Sequence, residues 1–378
     1  MNNSLTNRQR FINVMEYQPV DHVPNWEVGV WGQTRERWKQ EGLATHDLHW
    51  DWFTGEDAFE FDLREYIPVN FDMVPPFEER TIEEDERVRV FLDSKGQTRR
   101  ALKEGAVGGT RMSMDTFLAH PVTDRASFRE LTKRYCPTTP SRYPLGWKTF
   151  RLAGWRNRDH VLVLGRNCST LGFYWRAREW MGTENLSYAW YDEPELMHEM
   201  MAFIADFTIQ VARPVLEETD VDYVFINEDM AMKNGPLLSP DTYKTFIYPH
   251  MRRLVDFLKS NGSRYVIVDS DGNTEPLLPL LMDAGIDAIW PMEQASADQD
   301  PHFLRKKYGK SLRLWGGVDK RELTKDFRSI DEHLSSLTDL VEQGGFIPTV
   351  DHTVPPDVSL ENFRYYMRRK QDLLAGRL

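Results

Sequence analysis

The chain has 378 residues, 28% charged and 40% hydrophobic, with a formal net charge of −12. That acidic balance argues against nucleic acid, which calls for concentrated Lys and Arg, and no apolar run reaches the roughly 18 residues that would span a bilayer. The two cysteines are too few for a disulfide framework or a Cys-rich metal site, and the amino terminus lacks the charged-then-apolar order of a signal peptide, so a cytoplasmic protein is expected.

Thr6 is a plausible cap for a short amphipathic helix with Phe11, Val14 and Met15 on one face, ending before Pro19. Residues 20–26 predict a first strand and residues 32–42 a helix. Residues 47–57 are unusually aromatic, with Trp50, Trp52 and Phe53, and suit a lid or an oligomer contact. Alternation at Val88, Val90 and Leu92, then at Ala101 and Leu102, predicts a β-hairpin turning at Asp93-Ser94-Lys95-Gly96, inserted into the N-terminal part. Residues 138–144 read as a loop rather than a hinge, so one domain over residues 1–378 is expected.

From Gly165 onward a unit repeats: a short apolar run ends in polar residues and a helix follows. Val161-Leu162-Val163-Leu164 runs into Arg166 and Asn167, and Tyr223-Val224-Phe225-Ile226 into Glu228 and Asp229. Tyr265-Val266-Ile267-Val268 runs into Asp269 and Asp271, and Ala288-Ile289-Trp290 into Glu293. Leu312-Arg313-Leu314-Trp315 runs into Asp319, and Phe346-Ile347 into Asp351 and His352. Helices are expected near residues 172–182, 193–219, 239–261, 274–284, 301–308, 330–342 and 359–375, several with a cap or an early proline, as in Ser239-Pro240-Asp241. Alternation of this kind implies a parallel sheet, and the absence of G-x-G-x-x-G counts against a doubly wound nucleotide fold. The predicted architecture is an α/β fold, a (β/α)₈ TIM barrel with the hairpin as an insertion, whose strand ends converge on one face.

Asp269 and Asp271 follow the strongest strand, with Gly272 allowing a tight turn; they suit substrate orientation, cation binding or proton transfer, or plainly a turn and a cap. Glu228 and Asp229 are adjacent, so only one should face the barrel mouth. His352 is the natural proton carrier, with Asp351 before it, and Glu293 is a weaker acid candidate. The proposed catalytic set is Asp269, His352 and Glu228. Trp26, Arg166, Asn167, Asp229, Asp271, Glu293 and Asp351 are the substrate-binding candidates. Asp269, Asp271 and His352 would also suit zinc or another divalent cation.

Across nearly its whole length the chain resembles the uroporphyrinogen decarboxylase superfamily. The resemblance rests on Leu5 to Phe11, Pro19 to Pro24, Trp180-Met181-Gly182 with Asp192 to Glu195, Glu228-Asp229 with Gly235 to Pro240, Asp269 to Asn273, Gly316 to Asp319, Gly344 to Phe346, and Asp351-His352. It implies a (β/α)₈ barrel, and dimers are common in the superfamily. The true decarboxylases carry an arginine-rich stretch after the first strand to grip substrate carboxylates. Here that stretch is Trp26-Glu27-Val28-Gly29-Val30-Trp31-Gly32-Gln33, with no arginine and an added acid. The other branch holds cobamide-dependent methyltransferases, many with zinc on a His-x-Cys pair and a later Cys. This chain has Asp269-Ser270-Asp271 and Asp351-His352 at the corresponding places, which argues against thiol activation. The resemblance therefore implies a corrinoid-dependent methyltransferase of the O-demethylase kind, taking a methyl group from a small methoxylated or methylamine-type donor to a corrinoid protein. Trp26, Trp31, Trp50, Trp52 and Phe53 would line the donor pocket, or else belong to the core. The alternatives are a cofactor-free decarboxylase of a small acid, with Arg166 as the carboxylate clamp, and a non-catalytic binding barrel.

Overall fold

The computed structural model describes residues 5–44, 59–103, 106–107, 110–111, 115–165, 171–296 and 298–378. The aromatic segment with Trp50, Trp52 and Phe53, and the strand-end residues Arg166 and Asn167, lie outside the described residues.

Seven parallel strands form one curled sheet, in the order Arg64–Tyr66, Val161–Leu164, Val221–Asn227, Ser263–Asp269, Ala288–Trp290, Arg313–Val318 and Phe346–Val350. The six apolar runs of the sequence are six of these strands. The seventh, Arg64–Tyr66, has only three residues and no apolar run to announce it. The strand expected at residues 20–26 forms no ladder: Pro24 has no N–H, and Asn25 N donates to the Asp62 side chain at 2.7 Å rather than to a neighbouring strand. The extended chain there instead lies between the two edges of the sheet. Asn25 O accepts from Asp62 N at 3.0 Å on one side, and Trp31 N donates to Val354 O at 3.1 Å on the other. The result is a TIM-barrel-like α/β architecture.

Glu27 fastens this eighth position. Its carboxylate accepts from Val350 N at 2.8 Å and from Lys370 Nζ at 2.6 Å, and Tyr366 also donates to it. The side chains of Glu27 and Lys370 are both wholly buried. The added acid of the sequence is thus a neutralised internal strut to the helix Leu360–Leu374.

Alternation along the strands sends Tyr223, Phe225 and Asn227, and Tyr265, Ile267 and Asp269, to the inside of the curl. There Tyr223, Phe225, Tyr265, Ile267, Trp290, Trp315 and Ile347 pack together. Phe11, on the capped helix Asn7–Met15, closes the far end, with its ring 5.5 Å from Trp26 and 5.9 Å from Trp315. Trp26, a candidate substrate contact in the sequence, is a core residue and does not line the cleft at the strand ends. It is 1% exposed, its Nε1 donates to Asp62 O at 3.0 Å, and Arg64 lies 4.9 Å over its ring. Trp26→Ala should cost about 3–5 kcal/mol of stability, the usual loss for a large buried aromatic, read from the denaturant midpoint.

The helices sit outside the sheet near their expected places. Pro301–Tyr308 and Leu360–Leu374 follow the pattern closely. The stretch expected as one helix at 239–261 begins at the Ser239 cap, passes through a π turn at Tyr243–Ile247 and continues as Tyr248–Ser260. Pro249, lacking an N–H, cannot donate the regular helical bond at that junction. Away from the curled sheet, Val88–Leu92 pairs antiparallel with Thr98–Leu102, and Arg80–Glu84 and Thr116–Ala119 complete a four-stranded antiparallel sheet. No helix among the described residues is long and apolar enough to cross a membrane.

Candidate active site

Asn227, Asp269 and Trp290 end three neighbouring strands and stand in register, Asp269 opposite both of the others. Alternation turns all three inward. With Trp175, Asp229, Asp271, His352 and Thr353 they line a cleft of about 210 Å³ at the C-terminal ends of the strands. Trp290 is its floor: the indole packs 5.9 Å from Phe225 below and donates to Thr349 Oγ1 at 3.2 Å.

His352 and Asp271 meet across the cleft, with Nε2 3.4 Å from Oδ2. Nδ1 faces Thr353 O at 3.4 Å, so both ring nitrogens look at acceptors and the protonated imidazolium suits the position. Burial pulls the His352 pKa down, but the hydrogen bond and charge of Asp271 outweigh it, and the net direction is up. Trp31 lies against the imidazole, ring centroids 6.1 Å apart and nearly parallel. The Asp271 turn requires Gly272: its φ is +78°, and a Cβ there would meet Ala231 O at 2.7 Å.

Asp229 and Glu228 point to opposite sides just beyond the strand Val221–Asn227, where Asp229 has a φ of +41°. Asp229 faces the cleft and pairs with Arg178 Nη2 at 2.6 Å. The Arg178 guanidinium lies 4.7 Å over the Trp175 ring. Glu228 does not line the cleft. It is fully buried and accepts from Phe173 N at 2.9 Å and Tyr174 N at 2.6 Å, at the start of the helix Tyr174–Met181. Burial pushes its pKa up to about 7, against the pull of those N–H groups. Its evident work is to hold the helix that carries Trp175 and Arg178. Glu228→Gln, which keeps an acceptor, should retain most stability, whereas Glu228→Ala should lose about 1–3 kcal/mol by leaving buried N–H groups without a partner; thermal unfolding distinguishes them.

Glu293 and Asp351 also lie outside the cleft lining. Glu293 pairs with Lys320 at 2.6 Å. Asp351 is buried and accepts from Gln294 N at 2.9 Å and Lys320 N at 3.1 Å. Burial raises its pKa to about 6, with Lys320 opposing. The two acids brace the strand ends beside His352. The structure thus gathers Asp229, Asp269, Asp271 and His352, and sets Trp26, Glu228, Glu293 and Asp351 apart from them. Among the described residues no three His, Cys, Asp or Glu side chains converge as a metal-ligand set. Asn227 and Trp290 went unselected in the sequence, although the alternation from Tyr223 and from Ala288 marks both. Trp175 and Arg178 had no such signal, since they come from a helix rather than a strand end.

A family model described as Uroporphyrinogen decarboxylase (URO-D) matches residues 170–372, more than half of the chain. The uroporphyrinogen decarboxylase of Chloroherpeton thalassium is 24% identical over 220 residues, covering 54% of this chain and 58% of its own length. That of Gloeobacter violaceus is 22% identical over 188 residues, covering 48% and 50%. The chain therefore spans about half the length of the curated relatives it matches. In fold it is similar to a methyltransferase from Methanosarcina mazei, with a TM-score of 0.56 and 15% identity over 97% of this chain and 99% of that one. The family match and the ring of strand-end residues coincide along the chain, and the protein belongs to the uroporphyrinogen decarboxylase family.

Proposed function

We propose that this protein is a methyltransferase of its family, which moves a methyl group from a small oxygen- or nitrogen-methylated donor to a corrinoid carried on a separate protein. The observation that carries the reading is the His352–Asp271 pair above the Trp290 floor. A methyl group leaves oxygen or nitrogen readily only if that atom gains a proton as the bond breaks. His352, held as the imidazolium by Asp271, is placed to give it. Trp31, Trp175 and Trp290 flank the position of the departing atom, and the Asn227 amide and Asp269 orient the donor. Among its described lining residues the cleft holds no thiol to receive the methyl group. The receiving centre in this reading is the cobalt nucleophile that a partner-bound corrinoid supplies. Among the described residues no third His, Cys, Asp or Glu joins His352 and Asp271 as a metal-ligand set, so these residues do not fit zinc and no step is routed through a metal.

The test mixes purified protein, cob(I)alamin and a panel of methyl ethers, methanol and methylamines, and follows conversion to methylcobalamin by absorbance. Turnover of at least one donor that disappears in His352→Ala is expected. The named relatives favour decarboxylation as the second reading, here taken as decarboxylation of a small acid without a cofactor. Carbon dioxide release without corrinoid, and no methylcobalamin from any donor, would favour it and overturn the first.

A further inference from the structure

Asp351 precedes His352 in the chain, does not line the cleft and is wholly buried. Its two oxygens take backbone N–H groups from two other strand-end turns, Oδ2 from Gln294 at 2.9 Å and Oδ1 from Lys320 at 3.1 Å. Its own N–H donates to Val318 O at 2.9 Å. One carboxylate thus joins the turns after Ala288–Trp290 and Arg313–Val318 to the end of Phe346–Val350.

The first of these turns needs outside support. Met292, two residues beyond the Trp290 floor, has a φ of +54°, in the left-handed region that a Cβ disfavours. Two further ties hold it: Gly317 N donates to Pro291 O at 3.0 Å, and Gln294 Nε2 donates to Gly317 O at 2.9 Å. So close an approach requires Gly316, where a Cβ would meet Pro291 O at 1.7 Å. Trp290 and His352 come from strands that are not neighbours, since Arg313–Val318 lies between Ala288–Trp290 and Phe346–Val350. The spacing of floor and acid therefore depends on links that cross the intervening strand. Inside the barrel the link is Trp290 Nε1 on Thr349 Oγ1; at the rim it is Asp351 on Gln294 N.

We infer that Asp351 is a positioning residue for the reaction, acting through His352: it holds the imidazole over the Trp290 floor and within reach of Asp271. This rests on the reading of His352 as the proton donor. A shift of a reacting group by about 1 Å costs on the order of 10²-fold in rate, so a clamp outside the cleft has a large effect within it.

The variants are Asp351→Asn, Asp351→Glu and Gln294→Ala. Asn turns an NH₂ group toward one of the two backbone N–H groups. Glu keeps the charge but carries its oxygens one bond farther out. Gln294→Ala leaves Asp351 intact and removes only the tie to Gly317; Gln294 is half-buried, so this variant should fold, and circular dichroism checks all three. Asp271, Lys320 and Glu293, the charges acting on His352, are unchanged in each. Proteins labelled with ¹³C-histidine are titrated by NMR, with His352→Ala identifying the signal. The His352 midpoint, high in wild type, should fall in all three variants as the ring drifts from Asp271, least in Gln294→Ala. In the cob(I)alamin assay kcat should drop about 10²-fold in Asp351→Asn and Asp351→Glu, with the donor KM little changed. An unmoved midpoint in the folded variants would overturn the inference, and Gln294→Ala alone decides if the Asp351 variants do not fold. A fall confined to Asp351→Asn would assign the effect to lost charge rather than placement, and would overturn it too. Failure of every protein to methylate corrinoid from any donor would instead remove the methyltransferase reading, while the titrations still decide whether Asp351 places His352.

Discussion

Replacement of His352 by alanine is expected to slow methyl transfer by about 10²- to 10⁴-fold, the usual contribution of a well-placed general acid. The direction of the pH dependence follows from its surroundings. Asp271 raises the His352 pKa against the effect of burial, so the folded protein holds this proton to higher pH than the unfolded chain does. Activity that needs the imidazolium should be full below the ordinary imidazole range and fall as pH rises through the raised value. The same sign governs stability: the pair's contribution is present below the unfolded pKa and is lost as pH rises through the folded one. Asp271→Asn removes the charge that holds the proton and should move the alkaline limb of the rate profile to lower pH, with a smaller rate loss than His352→Ala. An alkaline limb that stays in place in Asp271→Asn would separate the two residues functionally and end the assignment of His352 as the acid.

Lys370→Met should cost about 3–5 kcal/mol of stability, because it strands the wholly buried carboxylate of Glu27 without its counter-charge. Loss of the ammonium also removes a donor from a network in which Val350 N and Tyr366 share the same carboxylate. The double variant Glu27→Gln with Lys370→Met should recover a good part of the loss, since two neutral groups replace an unpaired ion. Chemical denaturation of the three proteins measures this. If the double variant is as unstable as Lys370→Met, packing rather than uncompensated charge is the cause. Because Val350 leads directly into Asp351 and His352, the single variant should also blunt catalysis under conditions where it is still folded.

What the sequence made legible was the repeat. Six apolar runs with polar ends are six strands, since buried parallel strands have no option but continuous apolar residues. The same logic brought Asp269, Asp271 and His352 to one cleft although 80 or so residues separate the acids from the histidine in the chain. Where the pattern was short or absent, reading failed. Arg64–Tyr66 carries two charged residues and no apolar run, unlike the equally short Ala288–Trp290, and the stretch around Pro24 occupies a strand's place through individual hydrogen bonds. Trp26 looked like a site residue, and Glu27 like an added acid, in the stretch that the resemblance sets against the arginine-rich segment of true decarboxylases. Their real partners are Phe11, Asp62 and Lys370, and nothing local in the sequence names those. Glu228 shows the same limit. A carboxylate at a strand end serves chemistry or holds a helix start, and only the positions of Phe173 and Tyr174 decide which.

The strut between Glu27 and Lys370 joins residues 343 positions apart. A ribosome makes the acid early and supplies its counter-ion only after that many further residues have been added. The last strand of the arc, Phe346–Val350, is itself made only shortly before Lys370, so the arc stays incomplete through most of synthesis. Fastening the eighth position therefore waits for the final helix, and a chain cut short before Lys370 is expected to leave Glu27 without its counter-ion and the sheet edges exposed to aggregation or proteolysis.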